Sequence, residues 1–367
     1  MKRRSAVAHF RQLCCLGLPP QAVIPSLLSA VHEIVPSEAN CYHFADASGH
    51  MAAFVPEYVI PEVVTALVEN FDDLTERAYQ IDFPTTMLRG MPVGNLMSSY
   101  TAAFYRSEVY HLVFRPYNLH QVIDLVVRDT PDGQGIGAFL VGRSQRHPDF
   151  SATERGLLLQ LMPYIAHAMH GSEAQAQLQA SVGREEEFAD SGSSGLVVLD
   201  ARGQVVYSSR RARQVLYYAA NPGTPAASPR VPAGAAAPAP LRAVFDNLVR
   251  IAQQRDAPPP VLHHRNRWGR FVFRAHWLEP SGAGQGDLIG VTVQLQEPLA
   301  VVMMRRMREA GLSQRQEQVC LLLAQHSTFE SIAQRLHVSH ATAKDYADRI
   351  YRKLDVHTRE ELLQKLH

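Results

Sequence analysis

Four cations are crowded into ten residues near the C-terminus: Lys344, Arg349, Arg352 and Lys353. On a helix they fall on one outer face, together with His340, Asp345 and Asp348. Cations arrayed this way meet phosphate oxygens, and the B-DNA major groove admits one helix of this kind. Lys344 lies in the first half of the stretch, where side chains reach base edges. Arg349, Arg352 and Lys353 lie toward its end, where phosphate contacts are expected.

The surrounding residues supply the helices such a face needs. Ser313-x-x-Gln316 is a capping box opening a helix with Val319, Leu322 and Leu323 inside. A second helix starts near Thr328 and carries Phe329, Ile332, Ala333 and Leu336. His337-Val338-Ser339 breaks the chain, and Ser339 suits the N-cap of the next helix. That third helix is expected to bury Ala343, Tyr346, Ala347, Ile350 and Leu354 at helical spacing. Thr358-x-x-Glu361 opens a short fourth helix through Leu362, Leu363 and Leu366. Two short helices joined by a tight turn, the second longer and cationic outside, make a helix-turn-helix.

Residues Leu312–Leu362 resemble the LuxR-type helix-turn-helix domain. LSQRQEQVCLLLAQ follows the family's Leu-Thr-x-Arg-Glu-x-Glu-Val-Leu-x-Leu-Leu-Ala pattern. SIAQRLHVSHATAKDYADRIYRKLDVHTREEL carries its Ile-Ala-x-x-Leu, Ser-x-x-Thr-Val-Lys, Ile-x-x-Lys-Leu and Arg-x-Glu-Leu landmarks. The resemblance implies that Ser339, Thr342 and Lys344 begin the recognition helix. It places Ile332, Ala333, Leu336, Ile350 and Leu354 in the core. The sequence departs from the pattern at His326, usually Gly, at Thr328-Phe329-Glu330-Ser331, usually Ser-Asn-Lys-Glu, and at Ala343 and Tyr346. Gly311–His367 carries eight Lys/Arg against seven Asp/Glu, so the domain brings little non-specific attraction to phosphate. The candidate DNA contacts are Thr328, Ser339, His340, Thr342, Lys344, Arg349, Arg352 and Lys353.

Other chemistry finds less support. The chain has 17 histidines, but His263 and His264 point to opposite faces of a strand. His167 and His170 have ligand-like spacing on a helix, yet no Cys or carboxylate completes the set. Cys14, Cys15, Cys41 and Cys320 form no metal spacing, and reduced thiols are expected. G-x-S-x-G, P-loop and dinucleotide motifs are absent, and Gly133–Gly137 reads as a hairpin turn. The chain is therefore not expected to be an enzyme, and no catalytic residue, metal ligand or cofactor is assigned. The net charge of +1 means that any DNA-binding surface is local.

Upstream the pattern is mixed. At 46% hydrophobic, the 367 residues can build two or three ordinary domains. Ala39–Ala45 and Met51–Val55 flank a hairpin signal, as do His120–Arg128 and Gly135–Gly142. Ser151-x-x-Glu154 caps a helix with an apolar stripe, and Pro163 is expected to kink it. A helical continuation is expected over Glu173–Ala180, and Ser181 to about 194 reads as a linker. Beyond it Gly195–Asp200 and Gln204–Ser208 read as strands, and Ser209–Tyr218 and Leu241–Gln254 as helices. Val261–Arg265, Arg270–Leu278 and Leu288–Gln296 read as an antiparallel meander. The Ala/Pro-rich stretch 219–240 lacks side chains for a core and reads as a disordered loop.

Residues 1–180 resemble a GAF-like sensor and 195–298 a PAS-like region. The PAS likeness rests on Gly195–Asp200, Arg202-Gly203, Val205–Tyr207 and the late meander. The expected fold class is thus multidomain: two α+β sensor regions, a connector at 299–310, and an all-α four-helix LuxR-type helix-turn-helix domain at 311–367. An acyl-homoserine-lactone pocket is disfavoured, because both tryptophans, Trp268 and Trp277, lie in the second region. The expected function is a DNA-binding transcriptional regulator modulated by its sensor regions. Its expected partners are double-stranded DNA, a second copy, RNA polymerase and an unidentified small molecule. The basic N-terminus lacks a signal-peptide core and no long apolar run exists, so a cytoplasmic location away from membranes is expected. The competing reading is a signalling adaptor whose helical domain binds proteins instead of DNA.

Overall fold

A computed structural model describes residues 2–67, 83–88, 102–128, 130, 133–170, 188–221, 236–278 and 288–366. The first region is built on strands β1 (Ala39–Ala45), β2 (Met51–Pro56), β3 (Gln121–Arg128) and β4 (Gly135–Arg143). They form one antiparallel sheet in the order β2-β1-β4-β3. Both hairpins expected from the sequence are present. Helices α1 (Lys2–Cys14), α2 (Pro20–Ala30) and α4 (Ala152–His170) cover one face. The buried rings of Phe10, Tyr42 and Phe139 meet there edge-on, with Phe139 6.4 Å from each of the other two. Helix α3 (Phe83–Leu88) and the helical residues 61–67 and 110–114 lie over the other face. Strands covered on both faces need apolar residues at successive positions, which is why VIDLVV is apolar at every position but Asp124.

Helix α4 is anchored at its start. The Ser151 N–H donates to Glu154 Oε2 at 2.9 Å and the Glu154 N–H to Ser151 Oγ at 3.3 Å, the expected capping box. The helix passes through Pro163 without interruption. Arg143, 3% exposed at its side chain, reaches Glu154 at 2.6 Å and donates to the Pro36 carbonyl at 2.6 Å. Burial opposes ionisation of Glu154, but Arg143 and the two Ser151 hydrogen bonds hold its carboxyl down at about 2.

The second region is a five-stranded antiparallel sheet: β5 (Phe188–Leu199), β6 (Val205–Ser208), β7 (Val261–Asn266), β8 (Gly269–Leu278) and β9 (Leu288–Pro298). Its order is β6-β5-β9-β8-β7. Helices α5 (Arg210–Ala220) and α6 (Ala239–Ala252) pack on it. Ser209 caps α5, accepting from the Ala212 N–H at 3.2 Å.

Two expectations need correction. The stretch 181–194 is not all linker: β5 begins at Phe188, which pairs with Pro298 of β9. Pairing with a strand about one hundred residues away overrides the polar local composition, although the register slips between Asp190 and Ser194. The Ala/Pro stretch is also shorter than 219–240, because Ala219 and Ala220 end α5 while Ala239 and Pro240 begin α6. Residues 222–235 of that stretch, the continuation 173–180 and the Gly-rich turn 281–287 lie outside the described residues.

The connector is a helix, α7 (Leu299–Glu309), following β9 directly through Pro298. Val301, Val302, Met303, Met304 and Met307 are buried along it. It packs on β5 and β9, on α1, and on the C-terminal helices. Those helices are α8 (Gln314–Ala324), α9 (Phe329–Leu336), α10 (His340–Leu354) and α11 (Arg359–Leu366). Among the described residues no helix is long and apolar enough to cross a membrane.

Candidate nucleic-acid interface

Helix α8 is opened by the Ser313–Gln316 capping box, with the Ser313 N–H donating to Gln316 Oε1 at 2.9 Å. Its buried residues include Val319 and Leu323, and also Glu317 and Cys320; Leu322 is half-buried. Thr328 caps α9, accepting from the Ser331 N–H at 3.2 Å. The chain then reverses through His337 at φ 52°, and the Val338 N–H returns to the Ala333 carbonyl at 3.0 Å. That left-handed residue closes the helix as Gly commonly does. Ser339 caps α10: its Oγ accepts from the Thr342 N–H at 3.0 Å and lies 2.8 Å from Thr342 Oγ1.

Helix α10 buries Ala343, Ala347, Ile350 and Leu354, as the spacing requires. Tyr346 is half-buried rather than internal. Small Ala343 and Ala347 let α8 and α9 approach closely. The outer face of α10 presents His340, Lys344, Asp345, Asp348, Arg349, Arg352 and Lys353 to solvent. His340 also sets its ring edge-on to Phe329 of α9, at 6.1 Å.

The predicted site residues fall into three groups. His340, Lys344, Arg349 and Arg352 are exposed on one continuous face. Lys344 makes no hydrogen bond or ion pair with a described residue, so its ammonium is open to a ligand. Arg349 pairs with Asp345 at 2.8 Å across one helical turn, and Arg352 Nε donates to the Asp348 carbonyl at 3.4 Å. Exposed pairs of this kind are worth less than about 1 kcal/mol and exchange readily for phosphate. Thr328, Ser339 and Thr342 are engaged in capping, which fixes where α9 and α10 begin. Lys353 differs again: its ammonium donates to the Gly311 carbonyl just beyond α7.

Sequence reasoning missed two features of this domain. The Arg359 guanidinium donates to the carbonyls of Leu323 and Ser327, closing the end of α8. It is the Arg of the Arg-x-Glu-Leu landmark, so its position was visible but not its role. Glu317, 2% exposed, is pushed up to about 7 by burial, opposed by the charge of Arg308. Its polar character masked it as a surface residue.

Residues 310–366 match the family described as bacterial regulatory proteins, luxR family. This segment is a LuxR-type helix-turn-helix domain. No curated protein matches the chain. Among solved structures, the phage VqmA–DPO complex is 18% identical, covers 52% of this chain and 87% of its own, and gives a TM-score of 0.19. The E. coli DhaR(N)–DhaL complex is 13% identical over 81% of this chain and 87% of its own, with a TM-score of 0.22. The Vibrio cholera VqmA–ligand–DNA complex is 17% identical over 52% and 85%, with a TM-score of 0.17. TM-scores this low establish no shared fold. Within the LuxR-type domain, α9 and α10 are the two helices joined by the tight turn at His337–Ser339.

Proposed function

We propose that this protein is a DNA-binding transcriptional regulator in which α10 enters the major groove. The observation that carries the reading is the exposed face of α10, with Lys344 open and Arg349 and Arg352 held only by weak pairs, in a LuxR-type domain. His340, Thr342 and Lys344 face base edges, and Arg349, Arg352 and Lys353 face phosphates. Thr328 and Ser339 mark the starts of the two helices that approach the backbone. The protein acts as a homodimer, because one recognition helix reads only a few base pairs. RNA polymerase is a further contact, the compartment is the cytoplasm, and no enzymatic step is involved.

The upstream regions act as sensors in this reading, GAF-like to about residue 180 and PAS-like from β5 to β9. The strand order β6-β5-β9-β8-β7, with α5 and α6 packed on the sheet, supports the second assignment. A signal there is passed to the LuxR-type domain through α7.

Titrating the full chain onto double-stranded DNA across salt concentrations tests the reading. Binding is expected to weaken steeply with salt. Lys344→Ala should lower affinity, and Arg352→Ala should flatten the log–log salt slope by about 0.9 for each phosphate it no longer neutralises. No binding at low salt, or binding untouched by both substitutions, favours the protein-binding adaptor instead.

A further inference from the structure

The first sheet holds a cavity of about 90 Å³ on the face away from α1 and α4. Strand register arranges its floor. Cys41, Leu140 and Asp124 pair across β1, β4 and β3 in one row, and His43, Ala138 and Val126 form the next. Small Ala138 at the centre leaves the space that larger neighbours would fill. Phe54, Phe83, Phe114 and Tyr117 contribute aromatic walls.

The lining also includes the polar residues Asn40 and Thr86, but one wall residue is a carboxylate. Asp124 lines the cavity from mid-strand, and no described residue donates a hydrogen bond to its carboxylate. A carboxylate without a partner in such surroundings is costly, and structural carboxylates are normally paired. Burial alone pushes it up to about 7. The other titratable groups on the walls do not compensate it. His43 is lowered to about 4 by burial, and the Cys41 thiol and Tyr117 hydroxyl are pushed up by burial. Cys41 and His43 contact each other, Sγ to Nε2 at 3.5 Å. At neutral pH, Asp124 is thus the one described wall residue able to carry charge, and that charge is negative.

We infer that this cavity is a binding site for a small organic amine, its ammonium on Asp124 and its apolar body among Phe54, Phe83, Phe114 and Tyr117. A carboxylate supplies the charge, and ring faces favour a cation over a neutral molecule of the same shape. The volume admits a few heavy atoms, since a cavity of roughly 150 Å³ already holds benzene. The walls are too apolar for an inorganic cation, which needs several oxygen ligands. The inference deepens the sensor part of the proposed function but stands apart from DNA binding.

Calorimetric titration of the full chain, without DNA, provides the test. The probes are ethylamine and isopropylamine, three and four heavy atoms that suit the volume, each against the alcohol of the same shape. The amines should bind at least tenfold more tightly than their alcohols and raise the thermal midpoint. Asp124→Asn should remove that preference, and Ala138→Leu should abolish binding by filling the cavity. Equal binding of amine and alcohol, unchanged binding in either variant, or no binding of either amine would overturn it. If Asp124→Asn does not fold, the amine–alcohol comparison and Ala138→Leu still decide. Failure here with intact DNA binding removes the amine site and leaves the regulator reading untouched; the reverse result does the opposite.

Discussion

The Tyr217 hydroxyl donates to the Phe54 carbonyl at 2.8 Å, joining α5 of the second region to β2 of the first. Strand β2 is an edge of its sheet, where carbonyls lack a ladder partner. Gln214 reaches the next free carbonyls, donating to Glu57 at 2.7 Å, and Tyr218 donates to Pro56 at 3.5 Å. The side chains of Phe54 and Pro56 line the cavity on the inner face of the same strand. Tyr217→Phe leaves a buried carbonyl unpaired and should cost about 1–2 kcal/mol in denaturant unfolding. Tyr218→Phe should cost less, because its bond to β2 is long. An equal loss from both substitutions would show that the Phe54 bond contributes nothing special.

Glu154 predicts an acid-sensitive contribution. Its folded value, about 2, lies below the ordinary glutamate value of 4.5, so its ionised form is favoured on folding. The stability is present above about pH 4.5 and is lost as pH falls through about 2. Glu154→Gln should therefore destabilise by on the order of 2–3 kcal/mol at pH 7, leaving Arg143 buried with no countercharge. The gap between the two proteins should close as the pH approaches 2 in thermal melts. A gap that does not change with pH would sink the assignment.

Glu317 works in the opposite direction. Its folded value, about 7, lies above 4.5, so the protonated form suits the fold. The favourable state is complete below about pH 4.5 and is lost as pH rises through about 7. Glu317→Gln should match the parent at pH 4 and exceed it by on the order of 1–2 kcal/mol at pH 8. Melting curves at both pH values check this.

His326 occupies the position where the family pattern has Gly, and its φ is 58°. Side chains other than Gly pay a steric penalty there, although His tolerates it better than most. His326→Gly should raise stability by about 0.5–1 kcal/mol without altering DNA affinity. A thermal midpoint that falls would show that the imidazole makes a compensating contact.

Lys353 and Arg352 are neighbours with different expected roles. Lys353→Ala removes an ammonium from the carbonyl end of α7 and should lower the thermal midpoint as well as DNA affinity. Arg352→Ala should lower DNA affinity alone. Parallel melts and salt titrations separate the two, and identical behaviour would remove the distinction.

The helix-turn-helix was legible because its signals are local. Ser313, Thr328 and Ser339 each cap a helix within three residues, and the apolar stripe of α10 reads directly from spacing. The remainder depends on partners distant in the chain. The pairing of Phe188 with Pro298, the reach of Arg143 to Pro36 and the bond from Lys353 to Gly311 leave no mark in the neighbouring sequence. Asp124 is an acid inside an otherwise apolar strand, and sequence reasoning gave it no role. Its significance came only when the register set it beside Cys41 and Leu140 on a cavity floor.

Helix α7 follows β9 without a gap, and only the turn Ala310–Ser313 separates it from α8. A helix advances about 100° and 1.5 Å per residue, so its length sets a phase as well as a distance. A single residue added within Leu299–Glu309 would turn α10 by more than a quarter revolution relative to the second sheet, whereas four residues would nearly restore its heading. The protein thus carries its reading helix as a compass needle fixed to a shaft, and the number of residues in that shaft determines where the needle points.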